Sequence, residues 1–154
     1  MRARLINDDA QKTFALVFDK NDEVMDGLLA FAKENHLQAS HFTAIGAFRR
    51  ARIGFFDRGK KAYKEIPLEE QVEVLSLIGA VSLGDGEPKL HAHVVVGRED
   101  GTTRGGHLLQ AQVWPTLEVV LTESPRYLRR RVDDETGLAL IDISASEKSN
   151  GKRI

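Results

Sequence analysis

Three of the chain's five histidines, His91, His93 and His107, fall within one stretch, KLHAHVVVGREDGTTRGGHLL (89–109). Side chains of a β-strand alternate between its faces, so His91 and His93, two residues apart, present both imidazoles to one side. A neutral imidazole offers one ring nitrogen to a metal while the other donates to a nearby acceptor. Two such ligands and a third from an adjacent strand make a three-histidine metal site. His107 is the candidate third ligand, subject to register. A two-residue turn at Asp100 and Gly101 would set His107 opposite Val94, facing the wrong way. A three-residue loop, or a bulge at Gly105 or Gly106, would bring it opposite or diagonal to His93. The plainer alternative is a pair of polar residues on a partly exposed strand. His36, near the end of an expected helix, reads as solvated or as a partner of the helix dipole, and His41, at a strand start, as a distant candidate fourth ligand.

Three histidines and no cysteine favour zinc. Iron, nickel and manganese are also compatible, because affinity alone does not choose among them. Three protein ligands leave a coordination position open, the pattern of catalytic rather than structural zinc. A metal-bound water there would be the nucleophile of a hydrolysis or hydration. No general base can be identified from spacing, since Glu73 and Glu118 belong to other strands. Arg104 is a candidate clamp for a small anionic or carbonyl substrate, and Glu118 a candidate ligand or substrate contact. Two basic runs, FRRAR (48–52) and RYLRRR (126–131), could meet phosphates. Strand alternation splits the first and lets Arg129 and Arg131 of the second project together, beside an acidic DDE at 133–135 that partly cancels them. Solvated strand edges that discourage aggregation are the simpler explanation of both.

The elements that must position these residues read as α+β. KTFALVF (12–18) is a first strand, and Val24, Leu28, Phe31 and Ala32 recur at helical spacing, predicting a helix over about 22–35 with Asn21 or Asp22 as N-cap. Short β-rich runs follow at 41–57, 61–66, 73–83, 90–97, 117–123 and 139–143. The links are turns such as DRGK, GDGEP and EDGT, too short for parallel crossovers, so the sheet is expected to be antiparallel. A second short helix is expected at PLEEQ (67–71) or from SPRYL (124–128), and a polar, mobile tail at 144–154. With 154 residues and no internal repeat, residues 1–143 are expected to form one domain. The net charge of -1 argues against coating nucleic acid by positive charge alone. No apolar run approaches the ~20 residues of a membrane span. The N-terminal residues lack the apolar segment of a secretory signal, and the absence of cysteine makes a cytoplasmic location the default expectation.

LHAHVVVGREDGTTRGGHLL followed by VWPTLEVVLTE resembles the central signature of the plant and prokaryote conserved (PPC) domain. QVEVLSLIGAVSL (71–83) resembles that family's glycine-aromatic-glutamate-isoleucine-leucine segment, with Gln71 and Val72 in place of the usual residues, and DDETGLALID (133–142) extends the likeness to about residues 12–143. The resemblance implies an antiparallel sheet of about seven strands with flanking helices, assembled as a homotrimer. It also implies a metal at His91, His93 and His107. The family is commonly labelled DNA-binding, but the arginine-glycine-arginine-proline hook of its plant members is missing from this chain. Three functions stay open: a trimeric metal-binding module with a role in gene regulation, a metalloenzyme acting on a small substrate, and a DNA-binding protein using the arginine clusters.

Overall fold

The computed structural model describes residues 1–7, 11–124 and 128–144. Along the chain lie β1 (Arg2–Asn7), β2 (Thr13–Phe18), α1 (Val24–Glu34), β3 (Ala39–Asp57), β4 (Ala62–Leu68), β5 (Val72–Gly84), β6 (Glu87–Gly97), β7 (Thr103–Glu123), β8 (Arg130–Val132) and β9 (Ala139–Ile141). The first seven strands make one antiparallel sheet in the order β1-β2-β7-β6-β5-β3-β4, with a further pairing of β7 to β3. That extra pairing closes β3, β5, β6 and β7 into a ring in which each is hydrogen-bonded to two of the others. β8 and β9 form a separate two-stranded ladder.

Alternation decides what fills the ring. Phe42, Ala44, Leu77, Val94, Val96, Leu108, Val119 and Leu121 point inward and are buried. Each fully buried Leu or Phe contributes roughly 1.5–3 kcal/mol of transfer free energy. The opposite face carries the other parity and includes Ile45, Ile78, Val95 and Val120, of which Ile45 is 62% exposed. Helix α1 buries Val24, Leu28, Phe31 and Ala32 as their spacing predicts, and the Phe31 ring meets Phe14 edge-on at 5.2 Å.

Several elements differ from the sequence reading. The helix is capped by Glu23, whose carboxylate accepts the Asp26 N–H at 2.6 Å and the Ala111 N–H of β7 at 2.9 Å. Asn21 is held in a left-handed turn (φ 71), and Asp22 instead accepts the Asp19 N–H at 2.9 Å. The expected helix at 67–71 is absent: Pro67 and Leu68 end β4, an edge strand paired only to β3, where a residue without an N–H is tolerated. Residues 125–127 of the alternative helix and 145–154 of the expected tail lie outside the described residues. The strand expected at 117–123 is instead the end of β7, which runs unbroken from Thr103 through Pro115. Its pairing to β3 shifts register between Gly46 and Phe48, so Pro115 falls where no ladder bond is required.

Candidate metal centre

β6 and β7 form a hairpin whose loop settles the register. The Gly101 N–H donates to Arg98 O at 2.9 Å and the Arg98 N–H to Thr102 O at 2.9 Å, with Gly101 at φ 78. This is a three-residue loop, a tight turn followed by a left-handed glycine. The Asp100 carboxylate braces it by accepting from the Thr102 N–H (2.9 Å) and hydroxyl (2.6 Å). The strands then pair Gly97 with Thr103, Val95 with Gly105, and His93 with His107. The condition on His107 is therefore met by the loop, and Gly105 and Gly106 stay in regular register with β6. Those glycines serve a different purpose. A Cβ on Gly106 would sit 2.8 Å from Gly54 O, so this residue lets β7 lie close against β3.

The imidazoles converge on the outer face of the ring. His91 Nε2 and His93 Nε2 are 3.1 Å apart. The ring centroids of His91, His93 and His107 are separated by 5.0, 5.1 and 5.4 Å, and one nitrogen from each lies within 4.8 Å of the others. His107 is half-buried under Tyr63 of β4, whose ring stacks on it at 4.5 Å and 19°. Its Nδ1 is buried and has no hydrogen-bond partner. Burial, reinforced by the two neighbouring histidines, pushes the His107 imidazolium down to about 4. Burial also lowers His91, with further contributions from Arg130 and His93. Tyr63 is raised by its own burial, so the phenol stays protonated beside the rings.

Partly buried imidazoles that resist protonation, as His91 and His107 do, fit a transition metal, because a ligand nitrogen must be unprotonated to bind. The three-histidine group could hold such an ion. All-nitrogen donors suit zinc, iron and nickel, and do not by themselves choose among them.

The other predicted residues are not gathered at this point. Arg104 pairs with Val96 and, three residues from His107, belongs to the opposite face of β7. Glu118 sits in the far half of β7 between Val17 and Ile45, and Glu73 pairs with Gly97 beyond the histidines. His41 shares the face but is paired to Ala80, one strand removed from His91. His36 follows the helix cap with φ 53. Arg129 bridges to Leu83, and exposed Arg131 lies 3.8 Å from Asp142. Two residues at the site escaped the sequence reading. Tyr63 is far along the chain and carries no spacing signal. Arg130 lies between the two arginines singled out for phosphate and turns toward Ser82 on the outer face of β5.

Residues 6–125 match the model of the Plants and Prokaryotes Conserved (PCC) domain. Among solved structures, the chain is similar to the metal-containing protein AF0104 from Archaeoglobus fulgidus, at 39% identity and a TM-score of 0.79 over 85% of this chain and 93% of that one. It also resembles a candidate DNA-binding protein from Bacteroides thetaiotaomicron, at 27% identity and a TM-score of 0.84 over 92% and 98% of the two chains. A curated relative, the bifunctional protein GlmU of a Synechococcus strain, is 33% identical over 116 residues, which are 73% of this chain. The chain spans only 17% of that relative's length.

Proposed function

This chain belongs to the Plants and Prokaryotes Conserved domain family, and from that premise we propose that it is a homotrimeric metal-binding member with His91, His93 and His107 as its ligands. The observation that carries the reading is the convergence of the three rings, with one nitrogen from each within 4.8 Å of the others. The likeness to a metal-containing archaeal protein supports it. Among the metals these donors admit, zinc is the one we favour, because three imidazoles with an open position recur as its catalytic ligand set. When bound, a divalent ion would act as a Lewis acid toward a carbonyl or carboxylate oxygen. The chain's own residues do the rest: Tyr63 excludes water from one side of His107, and the β6–β7 register holds His93 and His107 side by side.

The trimer is supported by the outer face. Ile45, Ile78, Val95 and Val120 are exposed there, on neighbouring strands of a closed ring. An apolar patch of that kind usually marks an interaction surface. A role at DNA, and through it in gene regulation, is proposed on the Bacteroides neighbour's description as a candidate DNA-binding protein, and a cytoplasmic location on the absence of cysteine from the sequence. Arg129 and Arg131 would be its phosphate contacts, although Arg131 already has Asp142 nearby.

Elemental analysis of protein purified without chelator tests the metal. We expect about one divalent ion per chain, and less than a tenth of that in His91→Ala. Absence of stoichiometric metal from the native protein, even after incubation with zinc, would remove the reading. Light scattering coupled to size exclusion tests the trimer, with a mass of one or two chains as the refuting result. For DNA, a mobility shift that weakens steeply with salt is expected, and no shift at low salt excludes it.

A further inference from the structure

The metal reading above leaves open what would occupy the remaining coordination position, and the neighbouring covering strand bears on it. On β5, Ala80 faces His91 across the β5–β6 ladder, and Ser82, two residues on, has the same parity. Ser82 is fully buried although its face is the outer one, because β8 lies over this end of β5 through the Leu83–Arg129 bridge. From β8, Arg130 reaches back to that spot. Its Nε donates to Ser82 Oγ at 2.5 Å and its Nη1 to Ala139 O at 2.7 Å.

Both acceptors are neutral. Among the described residues no carboxylate pairs with Arg130, in contrast to Arg52, Arg98 and Arg131, which each have an acidic neighbour. Its side chain is only partly exposed, and the Ser82 it bonds lies two residues along β5 from Ala80, the cross-strand partner of His91. A guanidinium has five N–H donors in a fixed fork. With Nε and Nη1 engaged, Nη2 has no described acceptor. A desolvated cation without a counter-ion is costly, and an anion seated between it and a metal would relieve that cost while using the fork's geometry.

We propose that the free edge of the Arg130 guanidinium is the anion-recognition element of the three-histidine centre, so that the small molecule taken there carries a carboxylate or a comparable oxyanion. Ser82 and Ala139 act as positioning residues that aim the fork. The clamp expected at Arg104 is thus assigned to a different arginine, one that shares a face with the histidines. This inference rests on the metal reading, and its test keeps the two apart.

The protein is loaded with Co²⁺, whose visible absorption reports on its coordination sphere, and titrated with sodium acetate or with neutral acetamide. Acetate should change the spectrum saturably, and acetamide should not do so at the same concentration. Arg130→Gln should weaken acetate roughly ten- to hundredfold, the range of a charge-assisted hydrogen bond, with Co²⁺ affinity little changed. Arg130→Lys, which keeps the charge but not the fork, should lose severalfold, and it decides the matter if the glutamine variant does not fold. Co²⁺ uptake with no acetate response, or acetate binding equal to native in either folded variant, overturns the inference alone. Failure to take up Co²⁺ at all overturns the metal reading and this inference with it.

Discussion

His107→Phe should make the metal-free protein more stable and at the same time abolish its stabilisation by metal. In the metal-free state the native ring is stacked on Tyr63 with a buried Nδ1 that bonds to nothing. Such an atom costs about 1–3 kcal/mol. Phenylalanine keeps a planar ring for the stack and removes the unpaired nitrogen, so a net gain of ~1 kcal/mol is expected at neutral pH after some loss to its slightly greater volume. For a domain of this size that corresponds to a rise in Tm of roughly 2–4 °C.

Acidity should enlarge the difference, and the direction follows from the pKa. His107 is depressed from 6.5 to about 4 in the folded chain. The unfolded chain therefore takes up a proton first as pH falls below 6.5, and native stability is lost progressively between 6.5 and 4. At pH 5 the unscreened loss would be about 2 kcal/mol, which we halve to ~1 kcal/mol because the ring is half-buried. The variant has no such proton to bind. The assay is thermal or urea unfolding with chelator at pH 7.5 and pH 5, repeated with zinc. At a hundredfold excess over Kd, zinc should stabilise the native chain by about 2.7 kcal/mol and leave the variant nearly unmoved, reversing their order. A metal-free variant that is less stable than metal-free native protein at both pH values would refute the reasoning.

Three further outcomes are expected. Gly106→Ala forces a Cβ to within 2.8 Å of the Gly54 carbonyl oxygen, so it should destabilise by about 1–3 kcal/mol and weaken zinc binding, both measurable by calorimetry; unchanged melting would contradict the close approach of β7 to β3. Deleting Glu99 leaves an Asp-Gly pair in a two-residue turn, a geometry those residues favour. Because the Arg98–Thr102 pairing can persist, metal affinity should stay within about threefold of native, and its loss would show that the register depends on the longer loop. Glu123→Ala removes a carboxylate that accepts the Gln38 N–H (2.8 Å), the Ala39 N–H (3.2 Å) and the Ser40 hydroxyl; we expect a loss of about 2–4 kcal/mol in urea titrations, and a loss under 1 kcal/mol would deny that cluster its role.

Much of the architecture was legible in side-chain period. The alternation of β3 and β5 and the helical spacing of Val24, Leu28, Phe31 and Ala32 are local signals, and the strands and helix follow them closely. The gathering of the three histidines was legible for the same reason, since His91 and His93 share a face by parity and the loop length decides where His107 falls. What escaped was set by contacts between distant segments. Pro115 and the Gly105–Gly106 pair look like breaks, yet β7 passes through them because β3 shifts register at one and approaches closely at the other. Glu23 is a poor intrinsic N-cap, but a hydrogen bond to Ala111 of β7 recruits it. Tyr63 reaches His107 because β4 pairs with β3 at the sheet edge, and Arg130 reaches Ser82 because β8 lies over the end of β5. No pattern within either segment announces that.

The position of His107 in the sheet has one more consequence. Its backbone is paired on one side with His93 of β6 and on the other with Gly54 of β3. The donor's main chain is therefore gripped by two ladders before any ion arrives, and only side-chain rotations remain to be ordered on capture. Loading of this centre should resemble the filling of a rigid socket, rapid and with little change in heat capacity, and not the coupled folding that metals drive in small unstructured modules.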